Sequence, residues 1–280
     1  MIFVAYAKAL LFRKKRLAKD ATIPRLERTT KPRKAPWNYV WNLDRALGLQ
    51  KSGTLPFIYP QMHAFRTHLM LMTRPDFPIS VMGSIHTGSR IVRYRPIGRH
   101  EVMHGKHWVE GHRDVERGIE FDLCSLVYVG TELVWEATHT VLSRRSMAMG
   151  MGRGENTDSI PPDAGEQLWD VGLYESHRYA DASGDFNPIH MAHWTARLFG
   201  FKSAITHGMW CAGKIAEAHA KTVAGPTVMI VRFKLPIFMP AKILHKFWRR
   251  GDTLELRLFD ESGAKPHLIG TMMPHRAKEP

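Results

Sequence analysis

Twice along this chain an apolar helical stretch is followed by β-prone runs with no helix between them, and that order excludes most architectures. In Phe57–Met72 the apolar side chains Ile58, Met62, Phe65, Leu69 and Met72 recur at helical spacing, and Pro75 and Pro78 punctuate the end. Glu120–Val129 and Glu132–Leu142 then read as a hairpin turning at Gly130–Thr131, with weaker strands at Ile91–Tyr94 and Trp108–Val115. The plan repeats. Leu168–Leu173 suits a strand, and Tyr179–Gly200 suits a loop with short helices. Gly208–Val223 suits a helix with Cys211, Ile215 and Ala218 on one side. Strands follow at Val228–Leu235, Ala241–Trp248, Thr253–Phe259 and His267–Met273. Helices segregated from strands predict an α+β fold with antiparallel sheet.

Residues 148–165, AMGMGRGENTDSIPPDAG, are rich in Gly, Pro and polar side chains and separate the two passes as a linker. The 280 residues then divide into a basic arm (1–52), a first unit (53–147), the linker (148–165) and a second unit (166–280). The arm has basic runs at Arg13–Arg16 and at Lys31, Arg33 and Lys34, broken by Pro32 and Pro36, and reads as extended with one or two helices.

The chain carries 40 basic and 26 acidic side chains, a formal charge of +14. Such an excess favours polyanions: nucleic acid, anionic membrane, phosphorylated cofactors or acidic carrier proteins. No module interleaves basic and aromatic residues as nucleic-acid binding needs, so nucleic acid is not expected. At the N-terminus the apolar MIFVAYAKALLF precedes RKKR, the reverse of a secretory signal, and it is shorter than the ~20 residues that span a bilayer. It reads as an amphipathic helix, packed on the body or frayed; peripheral contact with anionic lipid is the sharper alternative. Two cysteines, Cys124 and Cys211, make neither a disulfide framework nor a metal knuckle, and fit a cytoplasmic setting. Cys211 reads as buried and inert, and His63 and His68 as packing or pocket residues. His100, His104 and His107 would share one face of a helix and suggest zinc, but Gly105 and strand-like flanks argue against it, so no metal is expected.

The densest chemistry lies in YADASGDFNPIH, Tyr179 to His190. Pro188 blocks a regular helix through it. A turn at Asn187–Pro188 can therefore aim the Asp185 carboxylate and the His190 imidazole at one point, with Gly184 free to adopt conformations other residues avoid. Carboxylate and imidazole together can move a proton to or from water near neutral pH. Downstream, in AITHGMW, Gly208 opens a helix whose first N–H groups lack internal partners and suit a developing oxyanion.

Together these parts resemble the MaoC-like family, which includes (R)-specific enoyl-thioester hydratases. The resemblance rests on Tyr179, Ser183, Gly184, Asp185, Asn187, Pro188, His190, Ala196, Gly200, Phe201, His207, Gly208 and Met209, and on FKLPIFMP at Phe233–Pro240. Where the family often has an acidic residue two places after the motif histidine, this chain has Ala192. The first unit is similar to the N-terminal hotdog of two-domain members through Tyr59, Pro60, Ala64, Phe65, Phe77, Pro78, His86, Ser89 and Arg90. It lacks GDxNPxH, so no catalytic pair is expected there; the resemblance implies that it helps form the acyl tunnel.

The resemblance implies a tandem hotdog, each an antiparallel sheet wrapped around a central helix. It implies reversible hydration of an enoyl thioester by Asp185 and His190, with Gly208 at the oxyanion and Tyr179, Ser183, Gly184, Asn187 and His207 in support. No cofactor is implied beyond the CoA or phosphopantetheine of the substrate. The partners implied are acyl-CoA or acyl carrier protein, and a homodimer is an admissible assembly. Two rivals stand beside this reading: thioester hydrolysis on a hotdog fold, and a non-catalytic acyl-thioester-binding protein that docks through its basic arm.

Overall fold

The computed structural model describes residues 22–81, 83–144, 160–222 and 225–276. In chain order the first half holds β1 (Leu26–Thr29), β2 (Arg33–Lys34), α1 (Trp37–Leu47), α2 (Tyr59–Met72), β3 (Ser84–Arg93), β4 (Val102–Val115), β5 (Gly118–Val129) and β6 (Glu132–Arg144). The second half holds β7 (Gly165–Val171), α3 (Leu173–Ser183), α4 (Pro188–Met191), α5 (His193–Leu198), α6 (Gly208–Ala218), β8 (Thr227–Phe233), β9 (Ala241–Arg250), β10 (Thr253–Asp260) and β11 (Pro266–Pro274).

The expected hairpin forms: Val129 faces Glu132 across Gly130, whose φ of 59° is the left-handed conformation such a turn requires. β3 and β4 run longer than their sequence signals. Gly88, Ser89, Gly105 and His107 interrupt the apolar alternation there, yet they pair across the sheet. The strand expected over Leu168–Leu173 runs instead from Gly165 to Val171, and a helix that the sequence pattern did not announce begins at Leu173, after Gly172, whose N–H donates to Glu175 Oε2 at 2.9 Å.

All strand pairs are antiparallel, in the order β1-β4-β5-β6-β3-β8-β11-β10-β9-β7, with β2 on β4. The order is symmetric about the β3–β8 seam, which runs from Gly88↔Arg232 to Arg93↔Thr227. Each half therefore repeats one plan, with α2 and α6 as the central helices of a tandem hotdog. A core cluster that includes Leu47, Ile58, Trp135, Trp210, Ile215 and Leu256 extends through both halves.

Residues 22–52 do not stand off the body as an arm. β1 pairs with β4 in the place that β7 takes on β9 in the second half. α1 buries Val40, Leu43, Ala46 and Leu47, and its last carbonyls are capped from α6: Trp210 Nε1 donates to Ala46 O and Lys214 Nζ to Leu47 O, each at 2.7 Å. The RKKR run and the apolar stretch before it lie outside the described residues, as does most of the 148–165 linker. Among the described residues no helix is long and apolar enough to cross a membrane. His104 and His107 lie on β4, so their odd spacing puts them on opposite faces. His104 stacks on Tyr128, and His107 bonds to Ser125.

Candidate active site

α3 delivers the first side chains. Ser176, Tyr179 and Ser183 follow helical spacing and are all buried. The helix ends at Gly184, which adopts φ 83° and returns its N–H to Ala180 O at 2.7 Å. The terminal carbonyls are satisfied from the first half: Arg66 of α2 donates to Ser183 O and Ala182 O, each at 3.0 Å. The turn after it is held by side chains. Ser183 Oγ accepts the Asp185 N–H at 3.0 Å and donates to Tyr179 O at 2.8 Å. Asp185 Oδ1 accepts the Asn187 N–H at 3.3 Å. Asn187 then caps α4, accepting the Ile189 N–H at 3.4 Å, with Pro188 in the first helical position where its missing N–H is harmless.

This turn brings His190 back toward Asp185. His190 Nδ1 lies 2.7 Å from the carbonyl of Ile205. A carbonyl only accepts, so Nδ1 carries the proton and the neutral ring presents Nε2 as a lone pair. His207 stacks on His190 with centroids 3.9 Å apart and planes at 28°, and its other side meets Tyr179 at 4.8 Å. Its Nε2–H points at Asp185 O, 3.0 Å away; Ser176 Oγ lies 3.1 Å from its Nδ1 and donates to the His190 carbonyl at 3.0 Å. Burial pushes His190 below the usual imidazole range, against the opposing pull of Asp185. Burial, reinforced by His190, pushes His207 down to about 3. Burial drives Tyr179 well above the ordinary phenol value. Both imidazoles are therefore neutral in the folded protein.

Asp185, His190 and His207 place ligand atoms within 4.8 Å of one another, the set that could hold a cation among the described residues. Both nitrogens of His207 are already engaged, and the near-parallel stack keeps its lone pairs from converging with those of His190. The arrangement thus favours a carboxylate–imidazole pair with His207 as its support, not a metal centre.

Gly208 follows His207, the N-cap residue of α6. The amides of Trp210 and Cys211 turn back to His207 O, while helix geometry leaves the first N–H groups free to point outward. A β-carbon at residue 208 would lie 2.9 Å from the Phe233 ring, so glycine lets the aromatic close over the helix start. Cys211 is buried, and burial raises its thiol to about 12, as an inert cysteine requires.

Contacts join Tyr179, Ser183, Asp185, Asn187, His190 and His207 here, and Gly208 follows His207. Sequence reasoning assigned no role to Ser176, Arg66, Phe233, the Ile205 carbonyl, or His86 and Ser89 of the first half. Ser176 precedes Tyr179 by one helical turn, which is a usable signal. Arg66 offers none, because its partners lie more than 110 positions away. His86 meets Phe233 with ring centroids 4.9 Å apart, and Ser89 Oγ lies 3.5 Å from Met209 Sδ, so β3 reaches the same site.

The MaoC-like domain family matches residues 171–261. The 3-hydroxyacyl-thioester dehydratase X of Mycobacterium tuberculosis is 31% identical over 229 residues, covering 80% of this chain and 81% of that protein. The crystal structure of HtdX from Mycobacterium tuberculosis superposes with a TM-score of 0.78 at 27% identity, covering 89% of this chain and 100% of the other. A MaoC-like dehydratase from Phytophthora capsici shares the fold at 16% identity, with a TM-score of 0.72 and coverage of 91% and 96%.

Proposed function

This chain belongs to the MaoC-like dehydratases, and from that premise we propose how its residues divide the addition and removal of water at an acyl thioester. The protein is a hydratase/dehydratase whose substrate is an acyl thioester of the CoA or carrier-protein type. The assignment of Asp185 and His190 to the chemistry rests on one observation. Their ligand atoms lie within 4.8 Å, while His190 Nδ1–H is committed to Ile205 O. A water at ~2.8 Å from each group fits that gap.

In hydration, the thioester carbonyl of a trans-2-enoyl group lies at the Gly208 N–H, and water lies between the Asp185 carboxylate and His190 Nε2. Asp185 takes a proton from the water as its oxygen attacks C3. The electron pair of the double bond moves to the thioester oxygen, where the Gly208 dipole and helix start stabilise it. The pair then delivers the proton to C2, and the enolate collapses. His190, neutral with its one N–H held by Ile205, has no proton of its own to spare; the proton that reaches C2 is the one the water gave up. Dehydration is the reverse. Tyr179, Ser183, Gly184, Asn187 and His207 hold the pair in place. The charge of +14 suits the phosphates of CoA or an acidic carrier.

Loss of the enoyl-thioester absorbance with crotonyl-CoA and a longer 2-enoyl-CoA tests the assignment. Asp185→Asn and His190→Ala are each expected to lower kcat by ~10²–10⁴, with the product mass showing one added water in wild type. Variants that retain wild-type turnover would remove the pair from the chemistry. Release of free thiol without hydration would favour hydrolysis instead.

A further inference from the structure

The first half holds five imidazoles for which the reaction has no use, four of them buried and His86 partly so. His63 and His68 lie on α2, His86 on β3, His107 on β4 and His139 on β6. They form a file that starts at the active site. His86 touches Phe233, the ring that closes against Gly208. Ser89 Oγ then bridges His86 Nε2 (2.9 Å) and His139 Nδ1 (2.8 Å), and His139 Nε2 reaches Gln61 Oε1 at 2.6 Å. Deeper, Ser125 Oγ lies 2.8 Å from His107 Nδ1 and 3.5 Å from His68 Nε2. His63 meets His107 with centroids 5.7 Å apart.

The inner end has hydrogen-bonding capacity that no protein group uses. Both ring nitrogens of His63, Nδ1 of His68 and Nε2 of His107 are buried without a protein partner. Buried polar groups are rarely kept in that condition. Gly105 leaves the edge of His107 uncrowded: a β-carbon there would lie 2.6 Å from His107 Nε2. Burial lowers His63 and His68 to about 4 and His107 to about 2. All three rings are neutral; His68 gives its Nε2–H to the Cys124 carbonyl at 2.9 Å, so its free Nδ1 accepts, while His63 keeps one donor and one acceptor, and together they suit a hydroxyl or carbonyl oxygen. A plain alkyl chain could use none of these nitrogens. The file runs inward to side chains that are at most 7% exposed, where the charged end of CoA cannot follow, so only the acyl end can meet it.

We propose that this file of histidines is the subsite for the acyl end of the substrate, and that it selects acyl groups bearing a hydroxyl or carbonyl oxygen beyond C3 over plain alkyl chains. The proposal rests on the hydratase reading, because it requires the thioester to lie at Gly208.

Steady-state hydration of trans-2-octenoyl-CoA is compared with that of its 5-, 6-, 7- and 8-hydroxy derivatives. At least one hydroxylated substrate is expected to exceed the alkyl one in kcat/KM by about tenfold or more. His63→Leu should bring that ratio down toward one, while His63→Gln, which keeps a donor and an acceptor, should preserve part of it. If wild type hydrates the alkyl substrate as well as every hydroxylated one, the subsite is overturned and the hydratase reading stands. Turnover of none of them overturns both.

Discussion

In the proposed mechanism His207 supports the Asp185–His190 pair without joining it. Neutral, it has one proton, held against the Asp185 carbonyl, and its other nitrogen lies against Ser176 Oγ, which donates to the His190 carbonyl. Its ring fills the space between His190 and Tyr179. Ser176→Ala would take that hydroxyl from both the His190 carbonyl and His207 Nδ1, which costs ~1–3 kcal/mol. The ring can relieve that cost by tilting, and His190 would tilt with it. We expect kcat to fall about tenfold with KM little changed; a rise in KM at constant kcat would place Ser176 in substrate binding instead. The pH dependence follows from His190. A base held below the ordinary imidazole range stays unprotonated further into acid, so kcat/KM should hold through pH 6.5 and decline only below it. A decline centred above 6.5 would contradict that assignment. The proposed pair could be read from the sequence because GDxNPxH is local: one turn carries both groups. Arg66 could not, because tertiary packing brings it in from α2; Ser176, one turn before Tyr179, and Phe233, in the matched FKLPIFMP, were in view but had no role until the fold placed them.

At the scale of elements, α6 is pressed against α1 and the segment after it. A β-carbon on Gly213 would lie 2.5 Å from Ile58 Cδ1 and 3.2 Å from Leu47 Cδ2. Neither side chain is exposed at all, so neither can swing aside into solvent. Alanine would favour the helix by ~1 kcal/mol, but overpacking a closed core costs ~1–3 kcal/mol. Gly213→Ala is therefore expected to destabilise the protein and lower the urea midpoint. A raised midpoint would mean that this contact is looser than it stands here. The same contact explains what the sequence concealed. The strands were legible where apolar alternation is continuous, as in β5 and β6, and shortened where Gly and His interrupt it, as in β3 and β4. Val40, Leu43 and Leu47 have helical spacing too, but they lie between basic runs and a polar loop whose charge suggested an arm. Only the partner face on α6 shows that this segment belongs to the core.

For the whole molecule, the buried histidines govern stability in acid. His63 and His68 are held at about 4 and His107 at about 2, in each case first by burial. Unfolded, each would titrate near 6.5. Above pH 6.5 neither state is protonated at these sites, and stability is at its full value. Below it the unfolded chain takes up protons that the folded one refuses, so stability falls with pH until the folded-state values are reached. Each group contributes ~1.4 kcal/mol per pH unit in that window. The three together give a slope of about 4 kcal/mol per unit, against the ~5–15 kcal/mol that holds a typical protein folded. Urea titrations at pH 7.5 and 5.5 should therefore differ by at least ~4 kcal/mol, because His86, His207 and His245, held down to about 4, 3 and 4, add to the same slope, with loss of near-UV circular dichroism by about pH 4.5. His107→Phe removes one of the refused protons, and the slope between pH 6.5 and 5 should drop by about one proton even if the variant is less stable at pH 7.5. Equal urea midpoints at pH 7.5 and 5.5 would show that the rings accept protons in the folded state, and would mean that water reaches the interior of the first half.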